Sequence, residues 1–277
     1  MAKRLTGLRW LGVIALLCAP FARADFDAGL AAFRAGDYGR ALGEFRPLAE
    51  NGDAAAQYYL GVCFERGQGV IADPAKAAEW YRHAADRGYA KAQHNLASLY
   101  LAGEGVPRDV GAAIAWYKRA AEAGSPKSAN RLGTLYFRGE GVPRDYASAL
   151  TWWQRAAAGG EGDAAYNLGI AYRRGLGVPP DPAAAVKWWQ SGAEQGSPLA
   201  QNALGTALMN GEGIAPDPVR AYGWFRMAAD AGVEVAKANA DLLLTRLDDR
   251  QRDAAFAIAA ELARKQAPRD AAPMSKQ

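Results

Sequence analysis

The sequence predicts an all-α protein, an α-solenoid of helix–loop–helix units, and three observations carry that expectation. A Gly-x-Gly pair returns every 36 residues, at Gly67/Gly69, Gly103/Gly105, Gly139/Gly141, Gly175/Gly177 and Gly211/Gly213, with a closing glycine at Gly88, Gly124, Gly160, Gly196 and Gly232. A tryptophan returns in the same register at Trp80, Trp116, Trp152, Trp188 and Trp224. An aspartate does so at Asp37, Asp73, Asp109, Asp145, Asp181, Asp217 and Asp253. A fixed period of this size belongs to stacked arrays, in which no unit buries its apolar face alone.

Residues 1–24 read as an export signal. Lys3, Arg4 and Arg9 make a basic start, Trp10 to Ala19 an apolar centre, and Ala22-Arg23-Ala24 a small-residue cleavage site that leaves Asp25 as the mature N-terminus. The apolar run is too short to span a bilayer, which takes about 20 residues. The expectation is therefore a periplasmic or secreted protein with no stable membrane span after cleavage. Four of the 33 basic residues lie in that segment and none of the 29 acids does, so the remainder balances at 29 against 29. Such a chain has no general attraction to nucleic acid. With Cys18 removed, Cys63 is left alone and no internal disulfide forms.

Residues 25–52 read as a capping helical hairpin, with Phe26, Leu30 and Phe33 at helical spacing and Gly36-Asp37 between its helices. Phe45 stands where the repeats carry Tyr81, and Glu44 where they carry the tryptophan. Five full repeats are expected over 53–232. Each first helix packs through a stripe such as Ala56, Leu60, Cys63 and Phe64, which makes Cys63 a buried, inert thiol. Gly61, Gly133, Gly169 and Gly205 sit mid-helix, where glycine costs roughly 0.5–1 kcal/mol, so a close helix approach is expected there. The first glycine of each pair follows a helix and precedes no strand-fed phosphate loop, so it reads as a left-handed C-cap.

The seven aspartates read as N-caps rather than a metal array, because Pro74, Pro182 and Pro218 follow three of them in the first helical turn. The tryptophan column, flanked by Ala77, Ala84 and Ala85, reads as inter-repeat core rather than a ligand-stacking surface. Residues 233–265 keep a helical pattern without the landmarks, with Asp253 still expected to cap, and read as a C-terminal capping hairpin. Residues 266–277 read as a disordered tail.

In this light the chain resembles the Sel-one-like repeat (SLR) family, a relative of the tetratricopeptide repeats. In the third repeat the matching residues are Leu132-Gly133, Tyr136, Gly139, Gly141-Val142, Asp145, Ala149, Trp152-Trp153, Ala156-Ala157 and Gly160. The resemblance implies a right-handed superhelix whose groove binds other proteins. It also implies an adaptor role in bacterial envelope signalling or assembly. A cysteine-rich branch of the family is linked to β-lactam binding, but this chain has no cysteine pairs, and that activity is not carried over.

No enzyme pattern is legible. His83 and His94 have no partner at metal spacing, and no serine lies in a Gly-x-Ser-x-Gly elbow. Neither cofactor nor metal is expected. What varies while the frame repeats is a stripe on the first helices, placed away from the Leu60/Phe64 core. It reads Tyr58, His94, Asn130, Tyr166 and Asn202 at its first offset. The second offset reads Val62, Ser98, Thr134, Ile170 and Thr206, and the third Glu65, Leu101, Phe137, Arg173 and Met209. By analogy with tetratricopeptide stacks these residues line a concave face that takes a protein or peptide partner, with Tyr166 and Phe137 as exposed anchors and Arg173 meeting a carboxylate. A monomer is expected. The alternative is an envelope enzyme acting on peptidoglycan or a β-lactam through a dispersed site.

Overall fold

The structure, a computed structural model, describes residues 24–266. The expected signal segment up to Arg23 and the tail from residue 267 lie outside the described residues.

Among the described residues all regular structure is helical. An opening pair, α1 (Phe26–Arg34) and α2 (Tyr38–Glu50), is followed by α3 (Ala54–Arg66) and α4 (Pro74–Asp86), then α5 (Ala90–Ala102) and α6 (Val110–Glu122). The stack continues with α7 (Pro126–Arg138) and α8 (Tyr146–Ala158), α9 (Gly162–Arg174) and α10 (Pro182–Glu194), α11 (Pro198–Asn210) and α12 (Pro218–Asp230). It ends with α13 (Glu234–Leu244) and α14 (Asp249–Gln266). From α1 to α13 each helix packs on its neighbours in the chain, as in an α-solenoid, while α14 packs back on α12.

The helix ends follow from the repeated residues. Asp73 accepts the Lys76 backbone N–H at 3.0 Å, and Asp181 accepts that of Ala184 at 2.9 Å, which satisfies donors the first turn leaves unpaired. Asp37, Asp109, Asp145 and Asp217 do the same. The first glycine of each pair is left-handed, with φ between 67° and 76°. The second glycine has a further role. A Cβ on Gly105 would lie 2.2 Å from the Pro74 carbonyl carbon, and one on Gly213 would lie 2.3 Å from the Pro182 oxygen. The loop of one repeat thus rests on the first turn of the second helix before it, where only glycine fits.

The buried ring column is one residue later than the tryptophan register predicts. Tyr81, Tyr117, Trp153, Trp189 and Phe225 are at most 3% exposed. Of the predicted column only Trp224 is buried, while Trp80, Trp116, Trp152 and Trp188 are half-buried. The helix rotation sets this order. The second ring points at the mid-helix glycine of its own repeat, and a Cβ on Gly133 would meet Trp153 at 2.4 Å and one on Gly169 would meet Trp189 at 2.1 Å. The first ring lies at the edge, where Arg119 stacks over Trp116 and Arg155 over Trp152.

The C-terminal end also departs from expectation. Asp253 is inside α14 and caps nothing. The start of that helix is held instead by Asp248, which accepts the Gln251 N–H while Gln251 accepts the Asp248 N–H, a reciprocal capping box. Both α13 and α14 pack on α12. Gln266, expected to open the tail, ends α14 and donates its side-chain amide to the Ala193 carbonyl at 2.6 Å.

Candidate functional site

The first helices of successive repeats are tied directly to one another. His94 Nδ1 and Ser128 Oγ are 2.8 Å apart between α5 and α7, and Asn167 donates to Asn130 at 3.3 Å between α9 and α7. Ser197, which caps α11, donates to Asp163 at the start of α9 at 2.6 Å. These side chains line up one wall of the stack.

The predicted stripe runs along this wall but is more deeply set than its polarity suggests. Val62 is a correction, because it is 4% exposed and packs with Ala77, Ala78 and Tyr81 in the core. Where later repeats carry a hydroxyl at that offset, it is turned onto its own helix. Ser98, Thr134 and Thr206 donate to the carbonyls of His94, Asn130 and Asn202 at 3.1, 3.1 and 2.9 Å. Glu65 accepts the Tyr81 hydroxyl at 2.6 Å. Leu101 and Met209 pack against the core from the edge. Tyr58 is ringed by Tyr59, Tyr81 and Tyr89 at 5.2 to 5.8 Å.

The two expected anchors are not free rings. Phe137 packs on Tyr146 and Trp153 at 5.3 and 5.2 Å, and half-buried Tyr166 accepts the Trp189 indole N–H through its carbonyl at 3.3 Å. Arg173 is exposed, but its guanidinium already pairs with Glu212 at 2.8 Å.

Three cavities open along the wall, and nine of the fifteen stripe residues line them. Tyr58 and His94 line the largest, about 730 Å³. Thr134, Phe137, Tyr166 and Ile170 line one of about 260 Å³. Tyr166, Ile170, Arg173, Asn202 and Thr206 line one of about 150 Å³. The sequence pattern missed Lys91, Asn95, Lys127 and Glu161 in the largest cavity. The changed identities of Lys91 and Lys127 at equivalent places (Ala55, Asp163, Leu199) were the available signal.

Burial dominates the electrostatics here. It lowers the His94 pKa to about 4, helped by the Arg131 and Lys127 charges, so the imidazole is neutral. Burial, then Asp163, raises the Glu161 carboxyl, and burial pushes the Cys63 thiol up to about 11, leaving it a poor nucleophile. The Ser128 hydroxyl has Ser125 Oγ at 3.0 Å and His94 at 2.8 Å, but Ser128 is fully buried and offers no nucleophile to a substrate. No cluster of three metal-binding side chains occurs among the described residues, and none of their helices is long and apolar enough to cross a membrane.

The family model for the Sel1 repeat matches five times, over residues 54–89, 90–125, 126–161, 162–197 and 198–233. The chain belongs to the Sel1 repeat family. Solved structures agree. A Sel1 repeat protein from Oxalobacter formigenes is 34% identical over 75% of this chain and 86% of its own, with a TM-score of 0.69. The protective antigen c5321 of uropathogenic Escherichia coli, which displays an SLR fold, is 32% identical over 87% of this chain, with a TM-score of 0.75. This Sel1 repeat protein spans about half of that antigen's length, 54%. No curated protein matches the chain. Sel1 repeat proteins are generally protein-interaction scaffolds and generally not enzymes.

Proposed function

We propose that this Sel1 repeat protein is an exported adaptor that holds a protein or peptide partner along its first-helix wall, in bacterial envelope signalling or assembly. The observation that carries the reading is the coincidence of variation and concavity. Nine of the fifteen stripe positions, which change from repeat to repeat, line the three cavities, beside recurring glycines and core rings such as Gly124, Gly160, Trp153 and Trp189. A mixture of amides, hydroxyls, half-buried rings and charge suits recognition of a polypeptide. Export is supported by the signal pattern of residues 1–24 and by the place of Asp25. Its backbone nitrogen donates to Glu44 at 2.8 Å, a position that suits a mature α-ammonium group.

The test is photo-cross-linking in the protein's own cells, with a benzophenone amino acid placed at Arg173 or Asn202 on the wall, or at Lys187 or Arg220 on second helices. Adducts of one defined mass are expected from the first pair only. Adducts from the second pair alone would move the partner to the opposite face.

A further inference from the structure

The largest cavity on the first-helix wall is basic. Its lining includes Arg66, Lys91 and Lys127 but a single acid, Glu161. Arg131 stands close enough to act on both His94 and Glu161. None of these four cations forms an ion pair among the described residues, whereas Arg173 farther along the wall is neutralised by Glu212. Nearby acids are engaged: Glu65 accepts the Tyr81 hydroxyl and Asp163 accepts that of Ser197.

We propose that this groove takes an acidic peptide segment of the partner, laid in extended form across α3, α5, α7 and α9. The proposal rests on the adaptor reading and names the chemistry of what that adaptor holds. The charge is local rather than part of the frame. Lys91 and Lys127 occupy the same place in consecutive repeats, and other repeats put Ala55, Asp163 or Leu199 there. The α5 and α9 N-termini carry no side-chain cap bond at Tyr89 or Glu161, so free N–H groups and the helix dipole add to the positive potential. His94 Nε2, which has no partner among the described residues, offers a hydrogen bond to a peptide backbone, whereas the Asn95 amide in the same lining is engaged by the Tyr58 and Tyr81 hydroxyls. The Tyr58 ring gives an apolar seat. A nucleic acid would call for a longer basic track and open stacking rings, and beyond residue 24 the chain is charge-balanced.

The experiment selects a random dodecapeptide display library against the full exported chain and against two double variants. Asp- and Glu-rich peptides are expected to be enriched. A resynthesised winner should bind at least tenfold more weakly to Lys91→Glu/Lys127→Glu and lose affinity as salt rises. Lys187→Glu/Arg220→Glu, with the same change in charge on second helices, should stay within twofold of the unaltered chain. If the first variant melts early, Lys91→Gln/Lys127→Gln replaces it, with a loss of at least threefold expected. Enrichment of basic or apolar peptides, or of none, overturns the proposal. So does an equal loss in both variants, or a twelve-nucleotide single strand that binds more tightly than the peptide. If wall adducts persist in the cross-linking experiment while no acidic peptide is selected, the adaptor reading stands and this inference falls.

Discussion

His94 is held neutral by its surroundings, and that has a consequence for stability. Its folded pKa, about 4, lies below the ordinary histidine value of 6.5, so between those values the unfolded chain binds more protons than the folded one. Stability is full above about pH 6.5, falls as pH drops toward 4, and loses nothing more from this group below that. The shift corresponds to about 3 kcal/mol as an upper figure. His94→Gln should therefore unfold with a shallower pH dependence between 6.5 and 4 than the unaltered chain, measured by urea titration at successive pH values. Equal slopes would show that His94 is not the proton acceptor. A second residue-scale expectation separates the paired rings. Trp153→Ala opens a cavity against Gly133 and should cost about 3–5 kcal/mol. Trp152→Ala, whose ring lies half-buried under Arg155, should cost about 1 kcal/mol. Chemical denaturation compares them directly, and the reverse order would return the core to the first ring.

At the scale of the element, glycine shows how far local propensity goes. Alanine for glycine in mid-helix ordinarily gains about 0.5–1 kcal/mol. In α7 the added methyl would lie 2.4 Å from the Trp153 ring, an overlap typically worth about 1–3 kcal/mol in the other direction. Gly133→Ala should thus lower the melting temperature, and a rise would mean that the ring moves aside freely. In the second repeat Ala97 already stands in this place, opposite the smaller Tyr117. The period, the Asp caps at the starts of the second helices and the left-handed glycines were legible because each is a local rule acting within one turn. Which of two adjacent aromatics faces inward was not, because about 100° of helix rotation separates them and only the neighbouring helix decides. The same limit hid Val62. The second offset reads as mixed in sequence, yet in the first repeat it faces α4 closely enough that Val62 is core, while Ile170 at the same offset is only partly buried. Asp253 misled for a related reason, since periodicity outlasts the repeats while the helix boundary moved to Asp248.

At the scale of the molecule, stability passes from neighbour to neighbour through buried ties that repeat with the frame. Gln57, Gln93 and Gln201 each donate to a carbonyl eight residues earlier, at the end of the second helix before them (Ala49, Ala85 and Ala193), at 3.0, 3.1 and 3.4 Å. In such a stack the two ends are the natural places for unfolding to begin. At the front end Asp25 accepts the Asp27 N–H at 2.9 Å to cap α1, while its own nitrogen donates to Glu44 on α2 at 2.8 Å. Cleavage after Ala24 would turn that nitrogen from an amide into an ammonium group at the same place, and a charge-assisted bond is the stronger of the two. Glu44→Gln should then cost the chain beginning at Asp25 about 1 kcal/mol at the low-salt end, as an exposed ion pair does, and cost less in a chain that keeps residues 1–24. Terminal sequencing of protein from the envelope fraction should read Asp25 first. A retained Met1, or an equal effect of Glu44→Gln on both forms, would mean that the opening pair is not built around a processed end.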